Sequence, residues 1–136
     1  MCIRDSNWGG TASLDVVLED QIIEDGGNGF IYYAGHGDHS TNVVQLTIDN
    51  VTFSKNKENG LLIWLDQGAT NLDATVMNSI FEQNGENGLY VLNSGFFGEA
   101  TVELQNVTLL ENEGNGIAID HYMAPWMDDG LSLIHI

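Results

Sequence analysis

Three strong bases stand against 20 acids in this 136-residue chain, a formal net charge of −17. The bases are Arg4, Lys55 and Lys57. A surface so poor in cations does not neutralise phosphate, so neither nucleic acid nor anionic membrane is an expected partner. Cysteine is as scarce: Cys2 stands alone, which excludes an internal disulfide framework and a thiolate metal site. No apolar run approaches the roughly 20 residues of a membrane-spanning helix, so membrane insertion is not expected. Hydrophobic residues nevertheless make up 43% of the chain, too many for a disordered one.

The two ends read differently from the rest. Met1–Ser6 is MCIRDS and Leu131–Ile136 is LSLIHI. One choice of codons for the first, reverse-complemented and read one base along, encodes LSLIH followed by Ile or Met. A single oligonucleotide in two orientations thus accounts for both ends, and it resembles the mosaic end of a transposase-based sequencing adapter. The expectation is that residues 1–6 and 131–136 are adapter-like scars and stand apart from fold reasoning. Residues 7–130 are then an internal piece of a longer reading frame, with 121–130 irregular. On this reading Cys2 and Arg4 are foreign, and adjacent coils of a longer chain are the segment's natural neighbours.

What the chain has in abundance is punctuation. DGGNGF at Asp25–Phe30 is followed by NKENGL at Asn56–Leu61, NGENGL at Asn84–Leu89 and NEGNGI at Asn112–Ile117. The aligned Asn-Gly pairs begin at Asn28, Asn59, Asn87 and Asn115, in steps of 31, 28 and 28 residues. A fixed period of this size signals a solenoid. Aligned on these pairs, Asn50, Asn78 and Asn106 share one position. Phe53, Phe81 and Leu109 form one apolar row, Phe30, Leu61, Leu89 and Ile117 a second, and Tyr32, Ile63, Val91 and Ile119 a third. Ahead of these, Val44, Leu46 and Ile48 alternate with polar residues, as do Leu72, Ala74 and Val76. Period two places one set inward on a β-strand. The first copy is less regular, one residue short before Asp25 and long after Tyr33.

Each repeat therefore reads as three short strands with bends at the asparagines, which tolerate left-handed backbone. Gly29, Gly60, Gly88 and Gly116 are expected to relax the backbone at positive φ. Asp25, Asn28, Asn56, Asn59, Asn84, Asn87, Asn112 and Asn115 are expected to stack as a structural turn ladder. The pattern apolar-x-x-Asn-x-x-Asn-Gly-apolar over roughly Leu14–Asp120 resembles the right-handed parallel β-helix repeat family, of the pectate-lyase-like superfamily fold. The resemblance implies an all-β solenoid of about four coils of 28–31 residues, three strands each. It further implies a secreted or cell-surface location and a structural, adhesive or glycan-binding module with polysaccharide partners.

Candidate chemistry is sparse. His36, Asp38 and His39 in AGHGDHST supply ligand types suited to a transition metal, without a third or fourth ligand of recognised spacing. No cofactor is assigned; calcium is the one ion that the acidic surface would suit. Gly35-His36-Gly37 is similar to the Gly-His-Gly of polygalacturonase-like hydrolases of this fold. Their upstream aspartate pair and downstream Arg-x-Lys have no counterpart here; Asp128–Asp129 is a pair in the wrong place. Lyases of the fold use Arg or Lys as base. Lys55 and Lys57 align with Gln83, Gly85, Glu111 and Glu113, as solvated surface would. No catalytic residue is assigned within the segment; the enzyme alternative is a polysaccharide lyase or glycoside hydrolase whose catalytic residues lie largely elsewhere. The first acidic set to inspect is Asp38 with Glu99 or Asp66. GGNGF lacks the aspartate of a calcium-binding nonapeptide. The outward positions of the third strands are unusual: Ile31 and Tyr33, Leu62 and Trp64, Tyr90 and Leu92 are apolar, with Phe96 and Phe97 just beyond. Tyr33, Trp64 and Tyr90 are the glycan-contact candidates, provided the loops leave them uncovered.

Overall fold

The computed structural model describes residues 2–5, 13–34, 42–66, 70–94, 100–121 and 132–135. The strands are β1 (Cys2–Asp5), β2 (Ser13–Glu19), β3 (Ile22–Glu24), β4 (Phe30–Ala34), β5 (Asn42–Asp49), β6 (Thr52–Ser54) and β7 (Leu61–Leu65). They continue as β8 (Thr70–Met77), β9 (Ile80–Glu82), β10 (Leu89–Asn93), β11 (Ala100–Gln105), β12 (Thr108–Leu110), β13 (Ile117–His121) and β14 (Ser132–His135). No helix occurs among the described residues.

Every third strand pairs, always in parallel, and three sheets result. One sheet has the order β1-β4-β7-β10-β13, a second β14-β11-β8-β5-β2 and a third β12-β9-β6-β3. The chain thus winds through one strand of each sheet per coil. Four strand triplets stack; from Asn28 to Asn115 this is about three turns, slightly fewer than the four expected. Both terminal hexapeptides, set apart in the sequence reading, contribute strands: β1 lies on β4 and β14 on β11. An open parallel edge accepts extended backbone through main-chain bonds whatever its side chains. Strand β13 runs through His121, and residues 122–131 lie outside the described ones.

The apolar rows fall in register. Phe30 pairs with Leu61 and Tyr32 with Ile63; Leu61 pairs with Leu89 and Ile63 with Val91. Val44, Leu46, Ile48, Phe53, Leu61, Ile63, Val76 and Phe81 are fully buried. Phe53 and Phe81 stack with centroids 4.8 Å apart and planes 8° from parallel. Parallel stacking of identical rows is what a solenoid substitutes for a globular core.

Two corners carry left-handed backbone, neither of them at the Asn-Gly glycines. After the first strand of each coil, Asp20, Asn50, Asn78 and Asn106 have φ of 53°, 54°, 50° and 51°. After the second strand, Asp25, Lys55, Gln83 and Glu111 have φ of 59°, 53°, 55° and 50°. The glycines are required for another reason. A Cβ on Gly60 would stand 2.8 Å from Gly88 O and 2.9 Å from Phe81 Cδ1, and one on Gly29 only 2.5 Å from Gly60 O. Positive φ is therefore corrected to close backbone approach between coils.

Asp25 also needs correcting. Glu24 pairs with Ser54, so Asp25 aligns with Lys55 and Gly26 with Asn56. Since Phe30 pairs with Leu61, the missing residue of the first coil falls after Asp25 rather than before it. Asp25 is exposed and stands outside the turn ladder, whose place in the first coil is taken by Gly26.

Candidate functional site

The asparagines build two amide ladders of opposite polarity, buried or half-buried except at the exposed Asn115. In one, donors point toward later coils. Asn56 Nδ2 donates to Asn84 Oδ1 at 2.9 Å and Asn84 Nδ2 to Asn112 Oδ1 at 2.8 Å. The backbone N–H groups of Asn56 and Asn84 donate to the same oxygens. The second hydrogens of Asn56, Asn84 and Asn112 reach back to the carbonyls of Ile23, Phe53 and Phe81. In the other ladder, donors point toward earlier coils. Asn59 Nδ2 donates to Asn28 Oδ1 at 2.9 Å, Asn87 Nδ2 to Asn59 Oδ1 at 2.9 Å and Asn115 Nδ2 to Asn87 Oδ1 at 3.2 Å. Glu58 and Glu86 accept from Asn28 and Asn59 at its edge. Each buried amide is thereby satisfied on both its donor and acceptor sides, as burial demands. These residues brace the corner.

The outward face of the first sheet is different. Register places Ile31, Leu62, Tyr90 and Ala118 in one row and Tyr33, Trp64, Leu92 and Asp120 in the next. Trp64 is 38% exposed, and Ile31, Tyr33, Leu62, Tyr90 and Leu92 are half-buried. The Tyr33 ring meets the Trp64 ring edge-on, centroids 5.2 Å apart at 84°. Polar bonds fix both rings. Tyr33 Oη donates to Asp66 Oδ2 at 2.9 Å, and Trp64 Nε1 donates to Ser94 Oγ at 3.1 Å. Ser94 Oγ in turn lies 3.2 Å from Asp66 Oδ1 and donates to it. Tyr90 Oη donates to Asp120 Oδ2 at 2.8 Å. An apolar, aromatic strip is thus rimmed by carboxylates, which are acceptors only.

The structure therefore brings Tyr33 and Trp64 together and sets Tyr90 in the neighbouring row. Trp64 is neither buried under a loop nor fully free; residues 67–69, together with Phe96 and Phe97, lie outside the described residues. So do His36, Asp38, His39, Glu99, Asp128 and Asp129. Among the described residues, no group of three or more His, Cys, Asp or Glu is arranged to hold a metal. Asp66, named from the sequence in an acidic set with Asp38, belongs to the strip, as do Ser94 and Asp120, which no motif marks. Asp66 and Ser94 each follow the last residue of a paired strand, and Asp120 shares a row with Trp64, so carrying the repeat alignment past the strand ends finds all three.

The comparisons agree with this architecture. Residues 8–128 match the family described as right handed beta helix region, and the chain belongs to that family. The coil is accordingly a right-handed parallel β-helix. No curated protein and no solved structure matches the chain.

Proposed function

We propose that this member of the right-handed β-helix family is a glycan-binding module of a secreted or cell-surface protein, taking a neutral polysaccharide on the outward face of its first sheet. The observation that carries the reading is the half-exposed Tyr33–Trp64 pair held by Asp66 and Ser94. Aromatic rings offer apolar surface to the C–H faces of sugar rings, while carboxylates accept from the hydroxyls at their rims. The rows run at right angles to the strands, so a polymer lying along them meets a repeated surface about every 4.8 Å. Charge narrows the choice of polymer. With a net charge of −17 and acceptor-only carboxylates at the rim, a uronate chain is repelled and a hydroxyl-rich neutral chain is not.

Electrophoresis through gels containing a neutral β-glucan or a polyuronate tests the reading. The neutral polymer is expected to retard the protein and the polyuronate to leave its mobility unchanged. Trp64→Ala is expected to weaken the neutral interaction about tenfold, the size of one lost ring contact. Equal retardation of wild type and Trp64→Ala would defeat the reading, as would new reducing or unsaturated ends in the polymer.

A further inference from the structure

Of the chain's asparagines, only Asn50 and Asn106 are followed two residues on by a hydroxyl, in Asn50-Val51-Thr52 and Asn106-Val107-Thr108. Asn-x-Thr is the acceptor tripeptide for an N-linked oligosaccharide. None of the ladder asparagines carries it. Both copies fall at the corner between the first and second strands of a coil, at φ of 54° and 51°. Asn50 has a coil on either side: Asp20 holds the same corner before it and Asn78 after it. Its side chain is exposed all the same. Among the described residues Asn50 Nδ2 makes one hydrogen bond, donating to Asp20 Oδ1 at 2.7 Å, so one of its two hydrogens is left to solvent. Asn84 is the contrast, fully buried with its two hydrogens spent on Phe53 O and Asn112 Oδ1. Asn78 is exposed like Asn50, but Ile80 stands where Asn50 has Thr52.

We propose that Asn50 is a site of N-linked glycosylation, a modification that rests on the secreted location given above. The donor is an oligosaccharide linked through its C1 to a polyprenyl diphosphate. Asn50 Nδ2 attacks that C1, the bond from C1 to the diphosphate oxygen breaks, and the polyprenyl diphosphate leaves with the electron pair. One Nδ2 proton passes to solvent. Transfer takes place on the entering chain, so the closed coil has to seat the product. It can do so because Nδ2 keeps one hydrogen, enough for the bond to Asp20 Oδ1. A sugar on Asn84 would instead displace a ladder bond inside the core. The Asn50 corner joins β5 of the second sheet to β6 of the third, and the first sheet has no part in it. The attached sugar is therefore rooted away from the strip that carries Tyr33 and Trp64, and modification does not compete with polymer binding there.

The test is to translate the full chain behind a secretory leader with eukaryotic microsomes, and to secrete it from a eukaryotic host. Sites are mapped by mass spectrometry before and after glycosidase. Asn50 is expected to carry a glycosidase-removable oligosaccharide in both preparations. Thr52→Ala is expected to abolish it and Thr52→Ser to retain it. Ile80→Thr, which completes the tripeptide at Asn78, is expected to add a second sugar there. An unmodified Asn50 in the microsomes would overturn the proposal, as would secreted protein bare at Asn50 or modification that survives Thr52→Ala. Gel retardation by a neutral polymer reads Trp64 and the first sheet independently. Its loss with Asn50 modified sinks the binding module alone, and retardation with Asn50 bare sinks only the glycosylation site.

Discussion

At Gly60 a single methyl group has nowhere to go: its Cβ would meet Gly88 O, Phe81 Cδ1 and Phe53 Cβ at 2.8, 2.9 and 3.0 Å. Two of these belong to the next coil, so the strain passes into the stack. Gly60→Ala is expected to lower unfolding stability by about 1–3 kcal/mol, the usual cost of overpacking. Gly27→Ala, whose Cβ meets nothing within 4 Å, is expected to be near neutral, and urea titration of both variants makes the comparison. Asn84 is the polar counterpart. It is fully buried and bonds to Phe53 O and Asn112 Oδ1 while accepting from Asn56. Asn84→Ala strands donors and an acceptor on two neighbouring coils, at an expected cost of about 3 kcal/mol on the same titration. The sequence announces both residues through repetition but misstates what Gly60 does. Asn-Gly reads as a positive-φ turn in isolation, whereas the constraint comes from a neighbouring coil that local sequence does not display.

At the scale of elements, the long first strands and the five-residue third strands were legible because one alternation serves one buried face. The corners were only half legible. Asn50, Asn78 and Asn106 announce left-handed backbone, and their first-coil partner Asp20 does not stand out. The second corner escapes sequence reading, since Lys55, Gln83 and Glu111 have no particular liking for φ near 50°. Asp25 was drawn into the ladder by an Asn-Gly motif that fits it one residue out of register; strand pairing, which no single repeat encodes, moves it opposite Lys55. The strain at this corner makes a gain available. Lys55→Asn puts a residue tolerant of left-handed backbone at φ 53° and should raise stability by about 0.5–1 kcal/mol in thermal or urea unfolding. An unchanged or lowered midpoint would show that the corner is not strained.

For the whole molecule, stacking converts a weak repeat into a continuous surface. No coil buries its own apolar rows; each is covered by the coils before and after it. The same repetition lines up the outward residues of the first sheet, so that Tyr33, Trp64 and Tyr90 from three coils come to share one face. The aromatic candidates were legible because period two assigns them outward. Their polar braces were legible only in part: Asp66 stands out as an acid, in a set with Asp38, whereas Ser94 becomes visible only when the repeat alignment is carried past a strand end. The chain has three tryptophans, Trp8, Trp64 and Trp126. Replacing Trp8 and Trp126 by phenylalanine leaves Trp64 as the sole indole reporter. Titrating that protein with a neutral oligosaccharide while following its tryptophan emission is the most direct test of the proposed glycan-binding face. A saturable blue shift, lost in the further variant Tyr33→Ala, is the expected result. Binding of the sugar with Trp64 emission unchanged, or no binding at all, would contradict it.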